Sequence, residues 1–112
     1  MDSRRKALLA ADVAEAKLAA DVVVMDLQEQ TPITDFFVIA SGTTRVQIRA
    51  ITEAVEHALE EAGAARPRAE GRDDGRWVLL DFGDVVVHIM NPREREYYNL
   101  ERLWGDTPIL ER

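Results

Sequence analysis

The most constraining feature of this chain is a pair of apolar runs, Trp77 to Phe82 and Val85 to Met90, separated only by Gly83-Asp84. Two residues between such runs leave room for a tight hairpin and nothing longer. Glycine at the first central position fits a type II′ turn. A two-residue loop also sets the register: Phe82 faces Val85, and pairing runs backward from there. Val78, Leu80, Phe82, Val85, Val87 and Ile89 then share one face. All six are apolar, so this face belongs to a core. The other face carries Trp77, Leu79, Asp81, Val86, His88 and Met90. On it Leu79 lies opposite His88, which makes Trp77 and Asp81 the diagonal neighbours of His88, at Cα separations of roughly 7–8 Å.

The rest of the chain supplies the layers around this hairpin. Arg4 to about Ala20 reads as a helix, with Leu9, Val13, Ala16 and Ala20 on one face and Ser3 as N-cap. The β-branched run Val22 to Leu27 reads as a strand, and Pro32 breaks the segment after it. Phe36 to Ala40 is a second strand, apolar enough to be buried on both faces. Ser41-Gly42-Thr43-Thr44 turns the chain into a long helix, about Thr44 to Ala62, with Ile48, Ile51, Val55, Ala58, Leu59 and Ala62 as its apolar stripe. Gly63 stops it. A charged loop comes next, with one short edge strand near Arg68 to Glu70. After the hairpin, Asn91-Pro92-Arg93-Glu94 opens a last helix: Asn91 as N-cap, Pro92 at N1, Glu94 at the capping-box position. That helix is expected to run on to Gly105, placing Tyr97, Leu100 and Trp104 on its buried side and Tyr98 over Glu101, facing out. The order predicts a single-domain α/β fold over residues 1–112, a mixed β-sheet with flanking helices.

Charge and composition narrow the function. The chain has 14 basic and 21 acidic residues, a net charge of −7. That is the wrong sign for wrapping bare nucleic acid and the right sign for a basic protein surface. Cysteine is absent, which removes disulfides, thiol catalysis and cysteine-ligated metals. With only His57 and His88, a three-histidine zinc site is impossible. No run approaches the roughly 20 apolar residues of a membrane span, and no targeting signal is evident, so a cytoplasmic location is expected.

Three readings fit the Trp77–Asp81–His88 trio. A carboxylate beside an imidazole can support acid–base chemistry, though no nucleophile or metal site accompanies it. The pair can instead satisfy one another in a half-buried surface. Or the face can be a binding patch, with Trp77 as anchor and the polar pair for specificity. Ser41-Gly42-Thr43-Thr44, between strand and helix, has the form of an anion site and also of a nucleotidyltransferase element. It lacks the P-loop pattern. The paired carboxylates such an enzyme needs would have to be Asp81 and Asp84, which do not form an Asp-x-Asp pair. A plain N-cap and turn is the simpler reading. His57, beside Glu56 on an acidic helix face, reads as solvated.

The runs Trp77 to His88 and Arg95 to Trp104, together with Thr34 to Thr43, resemble the ribosomal silencing factor family, also called Iojap-like. The likeness extends from the first helix through Trp104. One departure is visible: where the family has an Arg-Gln pair early in the long helix, Gln47 is preceded by Val46, and the arginine sits at Arg45. The resemblance implies an α/β fold similar to nucleotidyltransferases without their catalytic apparatus, and hence no enzyme activity, cofactor or metal. It implies a translational repressor that binds the large ribosomal subunit through its protein number fourteen, blocks joining with the small subunit when nutrients are scarce, and is a homodimer when free. On that reading the docking surface comprises Trp77, Asp81, His88, Tyr98, Glu101 and Trp104. The alternative is a small nucleotidyltransferase-like nucleotide-binding protein using Ser41, Gly42 and Asp81.

Overall fold

The computed structural model describes all residues, 1–112. Helix α1 spans Ser3–Ala16, capped by Asp2, whose carboxylate accepts the Arg5 N–H at 2.8 Å. The cap is thus one residue earlier than Ser3. The helix ends before Ala20, because Leu18 takes a left-handed φ of 65° and frees the chain for a strand. The side it buries is Ala7, Ala10, Ala11 and Ala14. Leu9 and Val13 only border the core, and Ala16 is exposed. Methyl side chains at the four fully buried positions let this helix lie close against its neighbours, with the larger Leu9 and Val13 at the margin.

Strands β1 (Ala20–Asp26), β2 (Phe36–Ser41), β3 (Arg68–Glu70), β4 (Trp77–Asp81) and β5 (Val85–Met90) form one sheet in the order β1-β2-β5-β4-β3. Only β2 and β5 are parallel. Their connection carries α2 (Arg45–Glu61) and the antiparallel β3–β4 pair. The hairpin register is the one the two-residue loop dictates, with Val78↔Ile89, Leu79↔His88 and Asp81↔Val86. Gly83 holds φ +90°, the sign a type II′ turn requires at its first central residue.

Helices α1 and α2 cover one face of the sheet. There Ile48, Ile51, Val55 and Leu59 of α2 meet Val38, Leu80 and Val87 of the strands. The opposite face is covered only in part. A small cluster of Met25, Ile39 and Met90 sits under Leu100 and Trp104, carried by α3 (Pro92–Tyr98) and α4 (Leu100–Leu103).

The last helix is therefore two helices. Asn91 caps α3 by accepting the Glu94 N–H at 2.7 Å. The reciprocal half of the capping box is absent: the Asn91 N–H donates to the Arg76 carbonyl instead, and the Glu94 carboxylate lies 4.0 Å from the Arg76 guanidinium. Asn99 then adopts φ 45°, a conformation asparagine tolerates better than most residues. Its side chain accepts the Arg102 N–H at 3.2 Å and so starts α4. Leu100 and Trp104, beyond the break, pack toward the sheet, whereas Tyr97, ahead of it and expected on the same buried side, is 81% exposed. The chain ends as a strap along the free edge of β1, where the Asp26 N–H donates to the Pro108 carbonyl and the Leu110 N–H to the Val24 carbonyl.

Candidate functional site

The half-covered sheet face brings together most of the residues singled out from sequence. His88 is 3% exposed. Its Nδ1 accepts from the Trp77 indole N–H at 3.1 Å. An indole nitrogen only donates, so Nδ1 must present its lone pair, and the neutral ring carries its proton on Nε2. Nε2 is buried and has no hydrogen-bond partner. Burial pushes the His88 pKa down to about 4, and a proton on Nδ1 would also face the Trp77 donor.

Asp81 does not partner His88. One of its oxygens accepts the Gly83 N–H at 2.8 Å, and the other lies 3.5 Å from the Arg68 guanidinium. Of the trio, only the tryptophan and the histidine meet. No histidine–carboxylate dyad forms, and a neutral His88 without a carboxylate has little to offer acid–base chemistry.

The aromatic rings form a chain instead. Phe37 meets His88 edge-on at 4.7 Å, and Trp77 lies 5.9 Å from His88. Tyr98 packs against Trp77 at 4.9 Å, and Tyr97 meets Tyr98 edge-on at 5.0 Å. Trp104 joins at the inner end, 6.1 Å from Phe37. The ladder leads from a fully buried imidazole to solvent, where Tyr97 and its neighbour Leu103, 73% exposed, flank a shallow depression with Tyr98. Trp77 and Trp104 are half-buried supports of this platform rather than free anchors.

Glu101 is held as well. Arg95, largely buried, donates one guanidinium nitrogen to Glu101 at 3.0 Å and another to the Ser41 hydroxyl at 2.9 Å. This staple ties α3 and α4 to the end of β2. The Ser41–Thr44 turn is accounted for locally: Thr44 caps α2 by accepting the Gln47 N–H, and the Gln47 side chain accepts the Thr43 N–H. Asp84 pairs with Lys6 of α1 at 2.8 Å, on the sheet face opposite Asp81, so the two carboxylates do not converge. No three histidine or acidic side chains are grouped to hold a metal ion. His57 is exposed, 3.7 Å from Glu61.

A family model described as "Ribosomal silencing factor during starvation" matches residues 1–112. The chain belongs to the ribosomal silencing factor family. A relative from Halalkalibacterium halodurans, named ribosomal silencing factor RsfS, is 40% identical over 99% of this chain and 95% of its own length. A crystal structure of a Chromobacterium violaceum protein superposes with a TM-score of 0.90 at 36% identity, covering 94% of this chain and 88% of that one. A mouse protein named mitochondrial assembly of ribosomal large subunit protein 1 is 36% identical over 77% of this chain, which spans 39% of that longer protein. Family membership accords with the sequence resemblance, and the mixed five-stranded sheet with flanking helices is the family's fold.

Sequence reasoning does not place four residues of this face. Phe37 was visible as one alternate position of an apolar strand, but nothing marked it as the contact of both His88 and Trp104. Arg95 carried no local signal, because Ser41 is 54 residues away. Tyr97 is expected on the buried side with Leu100 and Trp104, a phase that holds only if one helix runs through Asn99, and no pattern singles out Leu103.

Proposed function

We propose that this chain is a translational repressor that binds the large ribosomal subunit through its protein number fourteen and blocks joining with the small subunit. Membership of the silencing-factor family supports a ribosomal partner. The observation that carries the docking site is the outer end of the ring ladder: Tyr97, Tyr98 and Leu103 stand exposed side by side on a packed aromatic base. Tyrosines on a rigid support are typical binding anchors. The chain's net charge of −7 suits a basic ribosomal protein better than ribosomal RNA. In this reading Tyr98 touches the partner, Trp77, His88 and Trp104 hold the platform, and Asp81 and Glu101 lend negative charge at its rim. The free protein is a homodimer and works in the cytoplasm, without a catalytic step.

Light scattering of purified small and large subunits, mixed with this protein in molar excess, tests the proposal. Wild type is expected to suppress joining and to travel with the large subunit. Tyr97→Ala and Leu103→Ser are each expected to weaken binding by about 2 kcal/mol, roughly thirtyfold, with unchanged thermal melts. If both variants suppress joining as wild type does, the surface is wrong. If wild type leaves joining unchanged, so is the function.

A further inference from the structure

On the helical side of the sheet, away from the aromatic ladder, lies a cleft of about 290 Å³ between α2 and the β3–β4 connection. Three arginines line it, Arg45, Arg49 and Arg72, in a chain whose overall charge is negative. Arg45 and Arg49 are one helical turn apart, where like charges destabilise a helix slightly, and neither makes an ion pair within the protein. Arg72 is tied to Glu56, and that contact pushes its pKa up. Gly75 is buried with φ +72°, and a Cβ there would come within 3.3 Å of the Arg45 side chain. The missing side chain leaves room for the Arg45 stem to pass against the loop at the edge of the cleft.

We infer that this cleft binds a small phosphorylated ligand, with the unpaired Arg45 and Arg49 as its phosphate partners and Arg72, already held by Glu56, at the rim. Planar guanidinium forks match phosphate oxygens in pairs. Two carboxylates, Glu53 and Asp73, line the same cleft. They disfavour a bare phosphate and favour a ligand that presents hydroxyl or amino donors beside it, a sugar phosphate or a nucleotide. The volume, at the lower limit of small-molecule sites of roughly 300–1,000 Å³, fits a ligand of that size. The ladder and the cleft lie on opposite faces of the sheet. With the ladder docked on a partner, the cleft opens away from it, toward a diffusible molecule rather than toward the partner's own surface.

Backbone amide spectra of the full chain, titrated with ribose 5-phosphate, ADP and inorganic phosphate at matched ionic strength, test this. Ribose 5-phosphate and ADP are expected to give saturable shifts confined to residues 45–53 and 71–76, and to bind tighter than inorganic phosphate. A preference for ADP assigns a nucleotide, and equal binding assigns the sugar phosphate. Arg49→Gln, at an exposed position without an ion pair, is expected to weaken binding at least tenfold, while Arg93→Gln on α3 leaves it unchanged. The inference is overturned if the shifts match those from sodium chloride, if they spread over the surface, or if both variants respond alike. Because the readout needs no ribosome, it stands or falls independently of subunit joining.

Discussion

His88 shows how one side chain can be polar, buried and useful without being reactive. Its imidazole accepts a single hydrogen bond from Trp77 and packs on Phe37. That geometry selects the neutral ring, and burial lowers its pKa from 6.5 to about 4. The unfolded chain takes up the proton near 6.5, the folded chain only near 4. Between those values the unfolded state binds more protons, so stability falls as pH drops, by about 1.4 kcal/mol per pH unit. Above the upper value the effect vanishes, and below the lower one the slope disappears, for a total of roughly 3 kcal/mol. Urea unfolding of wild type and His88→Phe across pH 4–7 isolates this contribution, since the carboxylates titrate in both. The difference between the two is expected to change by that amount across the window. A constant difference would mean that His88 titrates alike in the folded and unfolded chain, so that burial does not lower its pKa.

At the level of elements, the two short helices after the sheet depend on Asn99. Its left-handed φ ends α3 and its side chain caps α4. Asn99→Ala removes the cap and puts a less tolerant residue in the left-handed region, at a cost of about 1–2 kcal/mol. Hydrogen exchange is expected to quicken across residues 92–104, while the amides of the central strands keep their protection. Uniform loosening of the whole chain would contradict the view that α3 and α4 are a separate, weaker layer. The Arg95 staple from Ser41 to Glu101 is the other tie of this layer, and it explains why the aromatic platform stays on the sheet although neither helix has a buried residue of its own.

For the molecule as a whole, the arrangement is asymmetric. One sheet face carries two long helices and nearly all of the core, and the other carries two short ones and an open aromatic edge. The β1 edge is closed by the C-terminal strap, which Arg112 anchors to Asp12 and Glu15 of α1. An unpaired sheet edge is a template for association with another chain. Deleting residues 107–112 is expected to uncover that edge and to give concentration-dependent species larger than those of the full chain, seen by sedimentation velocity. Unchanged sedimentation would show that the strap does not protect the edge.

Much of this protein was determined by local sequence. Two residues between two apolar runs permit one turn and hence one register, so the pairing of Leu79 with His88 and the two faces of the hairpin came from spacing alone. The stripe of α2 and the cap at Asn91 were equally local, because a 3.6-residue period and an N-terminal acceptor act within one or two turns. What only the tertiary structure decided were the choices between competing partners. Asp81 could have met His88, but a backbone N–H two residues away and an arginine on the next strand took its oxygens, and Trp77 took the imidazole nitrogen. The chain could have continued one helix through Asn99, but Asn99 ends α3 and starts α4, and Leu100 and Trp104 beyond it pack on the Met25–Ile39–Met90 cluster. Arg95 found Ser41 across half the sequence. Backbone periodicity is set by covalent geometry and can be read in a short window. Partner choice depends on which groups the finished sheet brings within about 3 Å of one another, and no local pattern contains that.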